Sequence, residues 1–165
     1  YGMDPQLGFQ RNGMWGPLWL TYSGTGGWSA STPGMQPKCG GCSSDSFGGT
    51  KYLFCEGPLP RKDAQRACAS HGGYLATVDG VFINSFLRGM APSAGKAFIG
   101  LDDLAELGKY VWATGTPATY TNWGPGQPDH YMMQERCVQL YDGKANTQWN
   151  DIDCGSQLPY LCQLP

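Results

Sequence analysis

Residues 127–137 read Gln-Pro-Asp-His-Tyr-Met-Met-Gln-Glu-Arg-Cys, and residues 149–154 read Trp-Asn-Asp-Ile-Asp-Cys. Three carboxylates and two side-chain amides crowd this stretch, which its two cysteines could staple: Gln127, Asp129, Glu135, Asn150 and Asp151. Ca²⁺ takes six to eight hard oxygen ligands at roughly 2.3–2.6 Å, and carboxylate and amide oxygens are ligands of this kind. The stretch 127–151 therefore predicts a Ca²⁺-binding loop, for which the rest of the chain serves as a scaffold.

The charge and hydropathy of the chain argue against two classes of partner. Eleven Lys and Arg stand against 13 Asp and Glu, the formal net charge is −2, and only 15% of the residues are charged. This balance provides no basic surface for nucleic acid and no polybasic segment for an anionic membrane. No apolar run approaches the roughly 20 residues that span a bilayer. The sequence starts at Tyr1 without a signal-like segment, which indicates a mature, processed or truncated form.

Seven cysteines are typical of an oxidised, extracellular protein, and their odd number leaves at least one thiol free or paired between chains. The segment Cys39-Gly-Gly-Cys42 could be a redox or zinc motif. No second Cys pair or His pair stands at a matching spacing, so we favour a structural disulfide there. Neither a Ser/His/Asp nor a Cys/His arrangement emerges, and we predict that the chain is not an enzyme.

Composition divides the chain into an N-terminal extension, residues 1–50, and a domain, residues 51–165. The extension is rich in Gly and Pro and carries four large aromatic residues in its middle part: Trp15, Trp19, Tyr22 and Trp28. Disordered tails are usually poor in aromatic residues, so we expect residues 14–28 to form a short hairpin packed against the domain. A protomer interface or an added ligand surface is the alternative.

Two helices are predicted in the first half of the domain. Residues 61–70 place Ala64, Ala67 and Cys68 on one face, and a Gly-Gly pair follows as a stop signal. Residues 80–89 predict a second helix that Asp79 can cap. Its apolar stripe consists of Phe82, Ile83, Phe86 and Leu87.

Short strands account for most of the remaining pattern. We predict them at residues 51–54, 98–101, 110–112, 136–141, 147–149 and 159–163. The irregular segment 114–129 is long enough to indicate a functional loop rather than a mere connection. Helices early in the domain and short strands late predict an α+β fold.

The order of these motifs resembles the C-type lectin-like domain over residues 51–165. The matching motifs are Phe98-Ile99-Gly100-Leu101, Asn122-Trp123, Gln127-Pro128-Asp129, Glu135-x-Cys137, Trp149-Asn150-Asp151, Cys154 and Tyr160-x-Cys162. A single such motif carries little weight, whereas the ordered series is highly specific. The resemblance implies a C-type lectin fold, in which two helices and small antiparallel sheets support a long Ca²⁺-binding loop of a carbohydrate-recognition domain.

The resemblance also implies two disulfides, Cys68–Cys162 and Cys137–Cys154. The first would close a loop of over ninety residues, which contributes on the order of 4–5 kcal/mol in the chain-entropy model. Long-form members of the family carry an extra N-terminal bridge, so the resemblance also implies that Cys55 pairs with Cys39 or Cys42, and one thiol remains over.

By the same resemblance, the ligands of the principal Ca²⁺ are Gln127, Asp129, Glu135, Asn150 and Asp151. The peptide bond between Gln127 and Pro128 is expected to be cis when Ca²⁺ is bound, a form that costs an X-Pro bond only about 0.5–1 kcal/mol. A second Ca²⁺ site common in the family departs from its pattern here. Asp103 fits its first ligand, but Leu107 and His130 stand where acidic residues are expected. We therefore expect one ion.

The order amide-Pro-carboxylate at positions 127–129 goes with galactose-type ligands in this family, and the reverse order goes with mannose types. Tyr131 holds the position where galactose binders place an aromatic ring, which can stack on the apolar face of the sugar. The resemblance thus implies a sugar-binding set of Gln127, Asp129, Tyr131, Glu135 and Asn150.

The leading hypothesis is a secreted Ca²⁺-dependent lectin for terminal galactose or N-acetylgalactosamine, read through the 3- and 4-hydroxyls. A single sugar site buries few atoms and binds weakly, so we expect several sites in a homo-oligomer. The spare cysteine and the extension are the candidate means of pairing chains. The alternatives are a non-sugar surface binder, for ice or mineral, and a protein-binding domain that keeps Ca²⁺ for loop stability alone.

Overall fold

The computed structural model describes residues 41–91, 95–141 and 148–165, together with the backbone of four short strands between residues 9 and 31. Residue 141 is described by its backbone only. It divides the chain into two units, Tyr1–Cys39 and Gly40–Pro165. Each unit is described by itself below.

The first unit contains two antiparallel strand pairs. They are β1, Phe9–Arg11, with β2, Met14–Gly16, and β3, Trp19–Ser23, with β4, Gly27–Ser31. The segment 14–28, for which one hairpin is predicted, thus contributes to both pairs. The aromatic side chains of the segment and the packing expected for them lie outside the described residues.

The second unit is built on one sheet of eight strands. In chain order these strands are β5, Cys42–Phe47; β6, Thr50–Leu59; β7, Tyr74–Leu75; β8, Lys96–Asp102; β9, Val111–Trp112; β10, Glu135–Tyr141; β11, Trp149–Asp153; and β12, Leu158–Leu164. The path through the sheet is β11-β10-β8-β12-β6-β5, with β7 beside β12 and β9 beside β8. Only β12 and β8 run parallel. The antiparallel strands that were predicted as small sheets are therefore parts of one mixed sheet.

Two ten-residue helices complete the α+β architecture: α1, Arg61–Ser70, and α2, Val81–Met90. The predicted bounds of α1 are confirmed, and it buries Ala64 and Cys68. The predicted Asp79 cap of α2 is wrong, because Gly80 holds the N-cap position and no side chain bonds there. Among the described residues, no helix has the length and apolarity to cross a membrane.

The inward face of α2 also differs from the predicted stripe. Phe82 is 78% exposed, while the polar Asn84 is buried beside Ile83 and Leu87. Asn84 is satisfied inside the core because its Oδ1 accepts a hydrogen bond of 2.7 Å from the indole Nε1 of Trp149. A polar side chain can be buried when its hydrogen bond is satisfied. The hydropathy pattern of the helix alone does not reveal such a partner.

Trp149 is the centre of the aromatic core. It is fully buried, and the rings of Trp112, Tyr120 and Trp123 meet it edge-on at centroid distances of 5.8, 5.7 and 5.8 Å. Such T-shaped pairs are favoured by the quadrupoles of aromatic rings. Trp112 and Trp149 are buried in this core, and Trp123 is partly buried against it.

Strand β11 lies later in the chain than predicted. The sequence placed a strand at residues 147–149, whereas β11 runs from Trp149 to Asp153, and Thr147 lies outside the described residues. The strand continues through polar residues because it pairs with β10, where Val138 lies opposite Asp151. These residues are too polar for the sequence pattern to predict a strand. Asn150 and Asp151 therefore sit on a strand and not in a loop.

Three disulfides hold the second unit. Cys68–Cys162 joins α1 to β12, and Cys137–Cys154 joins β10 to the turn after β11, which are the pairs that the resemblance implies. Cys42–Cys55 joins β5 to β6 and settles which of two cysteines pairs with Cys55. Cys39 lies outside the described residues. Because β5 precedes residue 51, the sheet includes residues that the sequence assigned to the extension.

We expect Gly100→Ala to destabilise the protein by about 1–3 kcal/mol. A Cβ at this position on β8 would collide with the backbone carbonyl of Leu75, which cannot move aside as a flexible side chain could. Gly89→Ala is the matched control, because a Cβ at this position on α2 meets open space. This substitution should stabilise the helix by about 0.5–1 kcal/mol. Urea denaturation of both variants measures the difference, and equal midpoints would contradict the packing described.

Candidate metal centre

Three carboxylates from three different elements meet beside the edge of the sheet. Asp129 lies in the loop before β10, Glu135 is the first residue of β10, and Asp151 is in the middle of β11. Their carboxylate oxygens lie within 4.8 Å of one another. Asp151 is fully buried, Glu135 is half-buried and Asp129 is exposed. The structure thus brings together three of the five predicted metal ligands.

The strand period explains the burial of Asp151. Residues two apart on a strand point to the same face, so Asp151 follows the core residue Trp149 inward. Its two carboxylate oxygens accept hydrogen bonds from the backbone N–H of Asp129 at 3.2 Å and of His130 at 2.8 Å. These donors fix the orientation of the carboxylate and tie the loop to the strand.

The two predicted amide ligands contact the backbone of cluster residues. Gln127 Oε1 accepts a hydrogen bond from the N–H of Asp129 at 3.2 Å. Asn150 precedes Asp151 on β11 and donates from Nδ2 to its carbonyl oxygen. The peptide bond between Gln127 and Pro128 is cis, the form that the resemblance implies for the Ca²⁺-bound loop.

Tyr131 begins a 3₁₀ turn, Tyr131–Met133, next to the carboxylates. Its side chain is 60% exposed. Met132 and Met133 are also exposed and have φ values of 52° and 59°. Sequence reasoning missed this turn because left-handed backbone favours Gly or Asn, and neither occurs there.

The electrostatics of the cluster favour a cation. Burial raises the pKa of Glu135 above its ordinary value, and a hydrogen bond with Asp129 and the charge of Asp151 raise it further. The ion pairs among the described residues do not include any of these three carboxylates. Hard oxygens with unbalanced negative charge fit Ca²⁺, which binds carboxylate and amide oxygens.

A second charged group, centred on Asp103, adjoins the cluster. Asp103 is fully buried, and its Oδ1 accepts from Arg136 Nε at 2.6 Å. Its Oδ2 accepts from the Gly108 N–H at 2.7 Å and lies 3.1 Å from His130 Nε2. Burial alone would raise the pKa of Asp103, but these hydrogen bonds outweigh it and lower the pKa. The expectation of a single Ca²⁺ stays a prediction, and it is supported by the engagement of both Asp103 oxygens.

Sequence reasoning missed the role of Arg136 in this group. Nothing local to an arginine between Glu135 and Cys137 indicates a partner that lies 33 positions earlier in the chain. Tyr110 was likewise read only as part of a strand, but its hydroxyl lies 3.2 Å from His130 Nε2. Burial, followed by the charges of Asp103 and Asp151, raises the pKa of Tyr110 well above its ordinary value.

Comparison with known proteins identifies a domain family. The family model described as the lectin C-type domain matches residues 58–164. The lectin BRA-3 of Megabalanus rosa is 35% identical over 105 residues, which are 62% of this chain and 64% of that protein. The α-N-acetylgalactosamine-specific lectin of Patiria pectinifera is 32% identical over 97 residues, 56% and 58% of the two chains. The match thus spans less than two thirds of either relative.

A solved structure is similar over most of its own length. The Ca²⁺-dependent type II antifreeze protein, in its Ca²⁺-free form, superposes with a TM-score of 0.68 and 28% sequence identity. The superposition covers 74% of this chain and 97% of the antifreeze protein. The first unit ends at Cys39, so a superposition over 74% of the chain includes most of the second unit.

We expect the affinity for Ca²⁺ to fall as the pH drops from about 7.5 towards about 5. The carboxylates bind the ion when ionised, and the raised pKa of Glu135 means that protons compete with Ca²⁺ at a higher pH than at an ordinary Glu. Calorimetric titration at both pH values measures the change.

The pH dependence of folding stability, measured without Ca²⁺, is the control that tests whether the pKa of Glu135 is raised. A carboxyl group whose pKa is raised by folding stabilises the folded state at low pH, and this contribution is lost as the pH rises through the raised pKa. In chelator, Glu135 should therefore oppose folding at neutral pH, and Glu135→Gln should remove that term. Equal Ca²⁺ affinities at the two pH values would contradict the assigned cluster.

Proposed function

The chain belongs to the C-type lectin domain family, and from that membership we propose that it is an extracellular Ca²⁺-dependent lectin for terminal galactose or N-acetylgalactosamine. Members of this family are generally binding proteins and not enzymes. The observation that carries the proposal is the convergence of Asp129, Glu135 and Asp151 within 4.8 Å. Such a cluster is costly to keep charged unless a cation binds it.

The proposed ligands of the ion are Gln127, Asp129, Glu135, Asn150 and Asp151. Asp151 is the buried anchor, held by two backbone N–H donors, and the other carboxylates approach from the loop and from β10. When bound, Ca²⁺ supplies coordination positions to sugar hydroxyls in addition to those that protein oxygens fill.

The order of donors and acceptors in the loop supports the galactose class. Carboxylates accept hydrogen bonds from sugar hydroxyls, whereas the amide N–H groups of Gln127 and Asn150 donate to them. The family pattern associates the amide-first order, Gln127 before Asp129, with galactose. The Patiria relative is named as specific for α-N-acetylgalactosamine, which belongs to this same class of sugars.

The exposed ring of Tyr131 supports the same class of ligand. It is 60% exposed and follows Asp129 by two residues, so that a bound sugar can contact it. The axial 4-hydroxyl of galactose leaves one face of the ring apolar, and an aromatic side chain can stack on that face.

The disulfides support an extracellular location. Three disulfides in one domain are typical of secreted proteins, since reducing compartments keep thiols reduced. These bonds use six of the seven cysteines and leave Cys39 for a link between chains in a homo-oligomer. Linked copies would convert weak single-site binding into useful avidity.

A second candidate function is adhesion to ice or mineral. The observation that favours it is the TM-score of 0.68 with the Ca²⁺-dependent type II antifreeze protein. A fold alone does not define a function. Measurable thermal hysteresis that free galactose leaves unchanged would support this candidate over the lectin.

We expect Asp129→Asn to abolish the preference for galactose and to weaken Ca²⁺ binding by at least about tenfold. The substitution removes one of three clustered charges and changes an acceptor-only group into a mixed donor and acceptor. Asp153→Asn is the control, since Asp153 lies two residues beyond Asp151 and outside the cluster. Glycan-array binding with Ca²⁺ and with chelator reads out both variants. Preferential mannose binding by the wild type, or binding that survives the chelator, would contradict the proposal.

We expect Tyr131→Ala to weaken galactose binding by about two- to tenfold and to leave Ca²⁺ affinity unchanged. The ring is exposed, and Tyr131 is not one of the clustered carboxylates, so its removal leaves the metal ligands in place. Tyr131→Phe preserves the ring and should bind as the wild type does. Calorimetry with the ion and then with the sugar separates the two effects, and unaltered sugar affinity in the alanine variant would rule out stacking.

A further inference from the structure

The buried group around Asp103 contacts the metal centre through His130. The His130 ring lies 3.1 Å from Asp103 Oδ2, and the backbone N–H of the same residue donates to Asp151 Oδ2 at 2.8 Å. His130 has a left-handed φ of 48°, and its side chain and its backbone N–H contact two different carboxylates. A displacement of Asp103 would therefore be transmitted to the orientation of Asp151.

Arg136 is the residue that holds Asp103 in place. Its Nε donates to Asp103 Oδ1 at 2.6 Å, and its terminal nitrogen donates to the Asp103 carbonyl oxygen. The backbone N–H of Asp103 donates in return to the Arg136 carbonyl at 3.1 Å. Three hydrogen bonds thus join the end of β8 to the start of β10, one residue after the cluster member Glu135.

The other nearby cations are engaged elsewhere. Lys109, on the same loop as Asp103, pairs with Glu106 in solvent at 2.7 Å. Arg61 pairs with Asp102, the residue just before Asp103. Within the described ranges, Arg136 is therefore the permanent cation that offsets the buried charge of Asp103.

We propose that Arg136 is a positioning residue of the metal centre, which acts as a built-in cation through Asp103 and His130 to aim Asp151 at the bound Ca²⁺. A buried carboxylate needs a charge partner, and here the chain itself provides one. The order of the loop at His130 then does not depend on a second metal ion. The inference rests on the proposed function, because it presumes that Ca²⁺ binds the carboxylate cluster.

The test compares two arginine variants. Arg136→Gln removes the charge at Asp103 and should weaken Ca²⁺ binding by about 10–100-fold, the usual effect of losing a residue that orients a metal ligand. Arg61→Gln breaks a comparably buried Arg–Asp pair at the neighbouring position, which does not contact His130. It should lower the melting temperature but leave the Ca²⁺ dissociation constant within about twofold of the wild type, since the Arg61–Asp102 side-chain pair does not include Asp103, His130 or Arg136.

A second readout separates positioning from general destabilisation. In chelator, the backbone N–H of His130 should exchange with solvent faster in Arg136→Gln than in Arg61→Gln. Arg136→Lys keeps the charge but loses the two-nitrogen geometry, and it should recover part of the Ca²⁺ affinity. If Arg136→Gln does not fold, the double variant Asp103→Asn with Arg136→Gln removes both charges of the pair, and it should fold and still bind Ca²⁺ more weakly than the wild type.

The outcomes distinguish this inference from the proposed function. Wild-type protein that releases no heat with Ca²⁺ would overturn both. Ca²⁺ binding by the wild type with equal affinity in Arg136→Gln, or in the folded double variant, would overturn the positioning role alone. An equal loss of affinity in Arg61→Gln would overturn it as well, because the effect would then be one of general stability.

Discussion

Burial of the Trp149 indole is the constraint on which the metal centre depends. Three aromatic rings surround the indole, and its N–H bonds to Asn84 on α2. The backbone of the same residue holds the long loop, since its N–H donates to the Asn122 carbonyl at 2.7 Å and its carbonyl accepts from the Gly124 N–H at 2.9 Å. Asp151 lies two residues further along β11 on the same face. The core therefore fixes the anchor ligand and the loop that faces it together.

The charged residues of this region form two adjoining groups, one with a cationic partner in the chain and one without. Asp103 is neutralised within the chain by Arg136, so its pKa is lowered despite burial. The cluster of Asp129, Glu135 and Asp151 has no such partner among the described residues, and burial with mutual repulsion raises the pKa of Glu135. Disulfide Cys137–Cys154 holds together the two strands that supply Glu135 and Asp151. One group is complete as folded, and the other is suited to an external cation.

Much of this arrangement could be predicted from the sequence. The bounds of α1 and the α+β class follow from local pattern, and the cis bond before Pro128 follows from the ordered motif series. The inward face of α2 could not, because Asn84 replaces Phe82 there only through its bond to an indole 65 residues away. The bounds of strand β11 could not be predicted for a similar reason, because its polar residues adopt a strand conformation through pairing with β10.

The sequence by itself determined which oxygen-bearing residues the loop contains, and two of the cysteine pairs followed from the resemblance that its motifs carry. Only the tertiary structure decided that Cys42 pairs with Cys55, that Asp151 is buried on a strand, and that Arg136 meets Asp103. Motifs and periodicities record what neighbours along the chain require of one another. Contacts between residues that are far apart in sequence are set by strand register and packing, and a one-residue shift of register would turn every side chain of the strand to the opposite face.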